Sequence, residues 1–381
     1  MRDNENTPAM NATSTFSRQV GERIRLAREE KGFTQDWLAA ELGLSDRQTI
    51  STIETGVRQV QPDELTKLCQ LLGKSLAIFT DPYIVTEPHA FSYRAKRNTK
   101  DIAAFEQKAH NLISANRRFR AVLDEPGAPI GPQLRDFGKQ TSIYQATTIG
   151  ERVSKAMALG DTPALKLRET IEESFKVMVL FVEAPATISG AACHLPDGDF
   201  ILINRNEPSF RRHFDLGHEF FHILTWKVMP PEKFDEELEY KAKPKVEKLA
   251  DAFTAGLLMP TEAVANRWRG RPAGREIHDS ILDMAREFHV SGKAMYWRLV
   301  NTSVLTKVQQ GCVDLEQLSR SNEPDPAGRP NIFNADFVRR LHAVLQRGLL
   351  SARKACELLG CDLEDLRSIC AAYNHPSPFA L

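Results

Sequence analysis

His218, Glu219 and His222 stand in the order His-Glu-x-x-His, inside the largely apolar stretch from Phe214 to Trp226. The apolar positions Phe214, Phe221 and Leu224 allow a helix, and on a helix two histidines four residues apart project from one face. They can grip a single metal ion. Glu219 then lies beside an open coordination position, where a carboxylate can take the proton of an activated water. Composition alone produces a bare motif of this kind in roughly a few per cent of such chains, so the rest of the site carries weight. A second helical stretch, Val246 to Pro260, carries Glu247 and Asp251 one turn apart on an otherwise mostly apolar segment that stops at a proline. Buried carboxylates need partners, and a metal ion supplies one. Glu247 is read as the third ligand. Asp251 is read as an acceptor behind the site, orienting a ligand histidine through its other ring nitrogen.

These segments resemble the ImmA/IrrE metallopeptidase family. The resemblance rests on Phe214 to His222, Glu247 to Pro260 and Phe288-His289-Val290-Ser291, preceded in order by Ile188-Ser189-Gly190 and Phe200 to Asn204. It covers roughly residues 146 to 306. It implies an α+β zincin-like domain with a small sheet, bound Zn2+, and a helix-turn-helix repressor as the class of substrate. In the mechanism so implied, zinc is held by His218, His222 and Glu247, and Glu219 takes a proton from water and returns one to the leaving amine. Phe220-Phe221 depart from the smaller or aliphatic residues of the pattern and are expected to narrow the cleft. The bland alternative is a histidine pair packed in a core without metal.

A length of 381 residues suggests two or three domains, and 42% hydrophobic content suffices for real cores. The formal net charge is zero, so nucleic-acid or membrane binding must come from a local patch. Cysteines 69, 193, 312, 356, 361 and 370 form no Cys-x-x-Cys pair and suit reduced thiols, not zinc ligands. The longest aliphatic run, Val177 to Val182, is far too short to cross a bilayer. A soluble, cytoplasmic protein without membrane contact is expected.

From the N-terminus, residues 1–16 read as a disordered tail, with a helix starting near Ser17 and ending at Gly32. Thr34 caps a short helix that stops at Gly43; Ser45 caps a second that runs to Glu54 before Gly56. Two short helices around a glycine turn suit a helix-turn-helix. Over residues 17–83 the chain resembles the XRE, or phage-repressor-like, DNA-binding domain. Thr34-Gln35, Leu38-Ala39, Leu42-Gly43, Gln48 to Ser51, Ile53-Glu54 and Gly56 carry that resemblance. Arg47, Gln48, Thr49 and Thr52 are candidates for base or phosphate contacts, and Gln35 for a phosphate contact. A dimer on an operator with two half-sites is the expected complex. A helix-turn-helix kept only for protein binding or dimerisation is the plainer alternative.

Residues 17–83 hold nine Lys/Arg against ten Asp/Glu, a net charge of −1, whereas residues 84–120 hold eight against three, a net of +5. The second segment could assist DNA binding or simply form a solvated face. Residues 84–145 are expected to be a helical linker with a long helix from about Thr99 to Leu123, broken at Glu125 to Pro132. Helical patterns resume over about Gln133 to Gly160 and Ala164 to Ser174. Strands are expected at Val177 to Val182, Ile188 to His194 and Phe200 to Asn204, with a turn at Pro196 to Asp199. Such a sheet could bind an extended substrate as an added strand. His194, Tyr240 and His278 are possible oxyanion donors, among which the sequence does not choose. Residues 307–381 comprise a linker around Ser321 to Pro330 and a C-terminal helical hairpin in which Leu358, Leu359, Leu363 and Leu366 pack.

The expected architecture is therefore multidomain and mainly α. An N-terminal all-α helix-turn-helix bundle precedes an α+β metallopeptidase domain (residues 146–306) and a C-terminal helical element. The expected function is a DNA-binding regulator with a zinc endopeptidase domain that cleaves a repressor, in trans or its own. The alternative is a non-proteolytic transcription factor that uses the peptidase-like fold as a ligand or partner sensor.

Overall fold

The computed structural model describes residues 7–86, 91–95, 99–127, 134, 137–138, 140–230, 234–235, 243–320 and 328–378. Contacts divide the chain into two compact units: Met1–His89 with Ile113–Arg118, and Ala90–Leu112 with Phe119–Leu381.

The first unit holds α1 (Thr7–Glu30), α2 (Gln35–Leu42), α3 (Arg47–Glu54), α4 (Pro62–Leu72) and α5 (Leu76–Thr80). Helix α1 begins well before the expected start near Ser17 and takes in most of the tail. Pro8 lies in its first turn, where a missing N–H leaves no hydrogen bond unmade. As expected, Thr34 caps α2, its hydroxyl accepting from the Trp37 N–H at 3.1 Å, and Gly43 ends it in the left-handed region. The cap of α3 is Asp46 and not Ser45: its carboxylate accepts from the Thr49 N–H at 2.9 Å. Ile24, Leu38, Ile50, Ile53, Leu68 and Phe79 fill the core. At Gly21, α1 crosses α3 so closely that a Cβ would lie 2.1 Å from the Ile53 carbonyl oxygen.

In the second unit come β1 (Phe91–Ala95), α6 (Thr99–Val122), α7 (Ile143–Ala156), α8 (Ala164–Ser174), β2 (Met178–Val182), β3 (Ile188–Leu195) and β4 (Gly198–Asn204). Then follow α9 (Ser209–Thr225), β5 (Phe234–Asp235), α10 (Lys245–Leu258), α11 (Thr261–Arg269), α12 (Ile277–Glu287) and α13 (Gly292–Asn301). The chain closes with α14 (Lys307–Gly311), α15 (Leu315–Arg320), α16 (Ala335–Gln346), α17 (Ala352–Leu359) and α18 (Leu363–Ala371). The protein is multidomain and mainly α, as read from the sequence. Helix α6 matches the expected long helix, with residues 113–118 belonging to the first unit. Helix α7 starts at Ile143 and not near Gln133, because Ser142 and Gln145 form a reciprocal capping box.

The sheet runs β2-β4-β3-β1-β5. Strands β2, β3 and β4 are those expected from the sequence, with β3 and β4 antiparallel through Pro196–Asp197 and β2 parallel to β4. β1 and β5 are additions. β1 falls inside the segment expected to be a helical linker, where Phe91-Ser92-Tyr93-Arg94 alternates with period two.

Three glycines let the helices beneath this sheet approach closely. A Cβ at Gly150 would lie 2.1 Å from the Phe253 carbonyl oxygen, and one at Gly256 would lie 2.1 Å from that of Thr147, so α7 and α10 touch backbone to backbone. Gly217 brings α9 onto Thr254 of α10 in the same way. Arg298 then ties down the end of α10, its Nε donating to the Met259 carbonyl at 2.7 Å while its guanidinium pairs with Glu151 of α7. Helix α10 is thus fixed on two sides before any side chain at the site is considered.

The C-terminal helices pack on this same unit. Phe337 of α16 stacks edge-on against Phe119, and Arg339 and Arg340 pair with Glu125. Of the four leucines expected to pack the hairpin only Leu366 is fully buried, as are Ala355 and Cys370; Leu363 is exposed. The apolar stripe runs through small residues that a count of leucines overlooks.

Candidate metal centre and helix-turn-helix surface

Helix α9 presents His218, Glu219 and His222, all buried, and α10 presents Glu247 opposite them. His218 Nε2 is 3.1 Å from Glu247 Oε2 and 3.1 Å from His222 Nε2, while His222 Nε2 is 3.3 Å from Glu247 Oε1. Ligand bonds of about 2.0–2.1 Å in a tetrahedron set ligand-to-ligand edges near 3.3 Å, so these three spacings fit one zinc-sized ion. Among the described residues this is the only group of three or more His, Cys, Asp or Glu side chains so placed.

The donor chemistry agrees. His218 Nδ1 lies 3.1 Å from Asp251 Oδ1, and Lys243 Nζ lies 3.5 Å from Asp251 Oδ2. A neutral imidazole that donates Nδ1–H to Asp251 turns its Nε2 lone pair toward the Glu247 carboxylate, so two acceptors face each other across 3.1 Å. A positive charge between them reconciles them, supplied either by a metal ion or by a proton that makes the ring a donor from both nitrogens. Burial alone would push the Glu247 carboxyl up; the charge of His222 and hydrogen bonds from both histidines instead hold it well below the usual carboxylate range.

Glu219 is buried beside β3. A Cβ on Gly190 would come within 3.3 Å of its Cγ, so the β3 backbone lies directly against the glutamate. Phe220 and Phe221 do not narrow a cleft. Both are fully buried, Phe220 edge-on to Phe175 and Phe221 edge-on to Phe137, each at 5.0 Å. Phe220 faces away from the histidines, whereas the Phe221 ring lies edge-on to that of His222 at 5.6 Å, and both fill the core.

Of the possible oxyanion donors, His194 is held by Asp199 at 2.5 Å and packs on Trp226, about two helical turns from Glu219. His278 lies on α12, and Tyr240 lies outside the described residues. The sequence reading gave Gly190 no role beyond the resemblance, and it missed Lys243 and Arg211, whose guanidinium donates to Ser189 Oγ of β3 at 2.9 Å. The small residue in Ile188-Ser189-Gly190 was the available signal for the glycine.

In the first unit, Arg47 and Gln48 are exposed at the start of α3. Thr49 is turned back to its cap, Oγ1 donating to Asp46 Oδ1 at 3.1 Å, and Thr52 Oγ1 donates to the Thr49 carbonyl at 2.9 Å. Gln35 does not point its amide outward: Nε2 donates to Glu54 Oε2 at 2.7 Å. Glu54 is also held by Arg28, at 2.6 Å to Nε and 3.1 Å to Nη2. No described helix is long and apolar enough to cross a membrane.

Comparison with known families matches residues 24–79 to a helix-turn-helix model and residues 172–300 to the IrrE N-terminal-like domain. No curated protein matches. Among solved structures, the apo form of the competence regulator ComR from Streptococcus vestibularis aligns over 94% of this chain and 99% of its own, at 10% identity and a TM-score of 0.17. That score is too low to establish a shared fold. The two family matches fall in turn on the α1–α5 bundle and on the sheet with the buried His-His-Glu cluster, so this chain joins a helix-turn-helix domain to an ImmA/IrrE-like peptidase domain.

Proposed function

We propose that this chain is a zinc-dependent endopeptidase joined to a DNA-binding domain, and that it cleaves a helix-turn-helix repressor to change gene expression in the cytoplasm. The carrying observation is the set of 3.1, 3.1 and 3.3 Å spacings among His218, His222 and Glu247. Those three residues would hold the ion, with Asp251 fixing the orientation of His218. Zinc there supplies Lewis acidity that lets a water lose its proton near neutral pH. Glu219, buried against β3 and distinct from the ligand set, accepts that proton and returns one to the leaving amine. The buried aromatics under α9 hold the helix rigid, so the ligands do not have to be ordered at each turnover.

Separating the base from the ligands tests this reading. Glu219→Gln is expected to keep zinc and lose peptide cleavage by about 10²-fold or more. His222→Ala is expected to lose both. Zinc content after purification without chelator and cleavage of a confirmed repressor substrate are the two measurements. Parental cleavage by Glu219→Gln would refute the assignment, and a chain without zinc would leave the sensor reading standing.

For DNA, the exposed start of α3 favours Arg47 and Gln48 over Thr49, Thr52 and Gln35, whose side chains already have partners within the protein. A dimer on a two-half-site operator is the proposed complex. Gln48→Ala should weaken operator binding by about 1–3 kcal/mol and leave random DNA nearly unaffected. Titrations on both sequences at one salt concentration decide it; equal losses would mean that Gln48 reads no base.

A further inference from the structure

A peptide approaching Glu219 as an added strand needs the outer edge of β3, because Gly190 of that strand lies against the glutamate. That edge is already taken. β1 pairs with it antiparallel, Phe91 opposite Cys193, Ser92 opposite Ala192, Tyr93 opposite Ala191 and Ala95 opposite Ile188. On its other side β1 pairs with β5, Arg94 with Phe234 and Ala95 with Asp235. β5 belongs to the connection between α9 and α10, the two helices that carry His218, His222 and Glu247. The Phe91–Ala95 strand therefore runs between the strand that backs Glu219 and the connection joining the two ligand-bearing helices. The opposite edge of the sheet offers no equivalent, since the Phe181 N–H of β2 donates to the Ile332 carbonyl at 2.8 Å.

We propose that Phe91–Ala95 is an inhibitory strand held in cis, occupying the extended-peptide groove of the metal centre until it is displaced. This rests on the zinc peptidase reading and adds the device that keeps it latent. The register explains why an occupant can block without being a substrate. Between Tyr93 and Ala95 the ladder slips, so Arg94 alone faces both Ser189 and Gly190. The irregularity falls at the glycine beside Glu219, so no residue of the occupant pairs in register with Gly190, and pairing resumes only at Ala95 opposite Ile188. A strand on the same chain is present at an effective concentration on the order of millimolar, so a separate peptide competes poorly.

The test uses the full zinc-loaded chain and a fluorescent tripeptide hydroxamate as a probe of groove access. Ser92→Pro with Tyr93→Pro removes two successive N–H groups, which in a strand point to opposite neighbours, and so loosens β1 on both sides. If the groove is free only about 1–10% of the time, the variant should bind the probe roughly 10- to 100-fold tighter than the parent. A second variant works in the opposite direction and does not depend on the first one folding. Phe91→Cys faces Cys193 in the ladder, at a separation that a disulfide spans, and oxidation with glutathione disulfide locks the strand in place. Oxidation should abolish probe binding, and reduction should restore it. Equal probe affinity in parent and variants, each holding one zinc, overturns the inhibitory strand and leaves the metal reading intact. Cleavage of the resting chain within residues 91–95 overturns it too, because the strand would then be a substrate. Absence of zinc from every chain overturns both readings together.

Discussion

Each unit buries a carboxylate, and each neutralises it differently. Glu54 in the first unit meets Arg28, a permanent cation that grips both oxygens, and Gln35 completes the set. Glu247 in the second unit meets two histidines, whose rings carry a charge only when protonated and bring lone pairs when neutral. The first arrangement is complete within the protein and serves as structure. The second needs a charge that the rings do not carry permanently, from a proton or from a metal ion. Burial of acidic residues alone does not separate a core ion pair from a metal site; the partner's ability to stay charged does.

Removing each carboxylate should therefore fail in a different way. Glu54→Ala leaves Arg28 buried with only the Phe33 carbonyl, at 2.8 Å, as its remaining acceptor outside Glu29, and should cost about 3–5 kcal/mol of stability in the first unit. Chemical denaturation of the full chain, with and without chelator, checks that this loss ignores zinc. Glu247→Gln should do the reverse: zinc affinity falls by at least about 10²-fold, the chelated parent and the chelated variant unfold alike, and only the zinc-loaded parent gains up to about 4 kcal/mol at a thousandfold excess over Kd. Equal stability losses at the two positions, with zinc binding untouched, would break the comparison. Asp251→Asn is a smaller perturbation, since the ligands remain and only the orientation of His218 is loosened. A fall in zinc affinity of about 10- to 100-fold, read by competition with a chromophoric chelator, is expected.

The site was more legible than its surroundings, for a physical reason. A ligand set constrains residue type and helical spacing at once, so the clustering of His218, His222 and Glu247, with Asp251 against His218, could be anticipated from local sequence alone. Strands β2, β3 and β4 were equally plain, being largely apolar runs, the last two separated by a turn at Pro196 and Asp197. What escaped depends on contacts distant in sequence. β1 carries a period-two pattern over only a few residues, set among basic residues that read as a helix, and its partner β5 is two residues long. Gln35 sits where a phosphate contact would sit, but Glu54, nineteen positions on, claims its amide. Phe220 and Phe221 looked like cleft residues only because they interrupt the motif; Phe175 and Phe137, which receive them, lie well upstream.

The smallest expected effect sharpens the contrast from the side of proton binding. Glu64, at the start of α4, is a third largely buried carboxylate, and Arg58 holds it at 2.7 and 2.9 Å while it accepts from the Gln61 N–H at 2.9 Å. Hydrogen bonding from Arg58 outweighs burial and lowers its pKa below the usual value. A carboxyl depressed in the folded state contributes stability that is fully present above its unfolded value, about 4.3, and is lost as pH falls through the lower folded value. No change is thus expected between about pH 7 and pH 5, and a loss below about pH 4. Because the Arg58 side chain is 35% exposed, solvent screens the pair, and the contribution should stay near 0.5–1 kcal/mol. Amide exchange across α4 in the full chain gives a local reading. Glu64→Gln should lower protection at pH 7 by that amount and flatten its acid limb, with the Gln61 amide affected first. If parent and variant lose protection in parallel between pH 5 and pH 3, the arginine does not hold this carboxylate ionised, and the distinction between the two kinds of buried acid would rest on Glu54 alone.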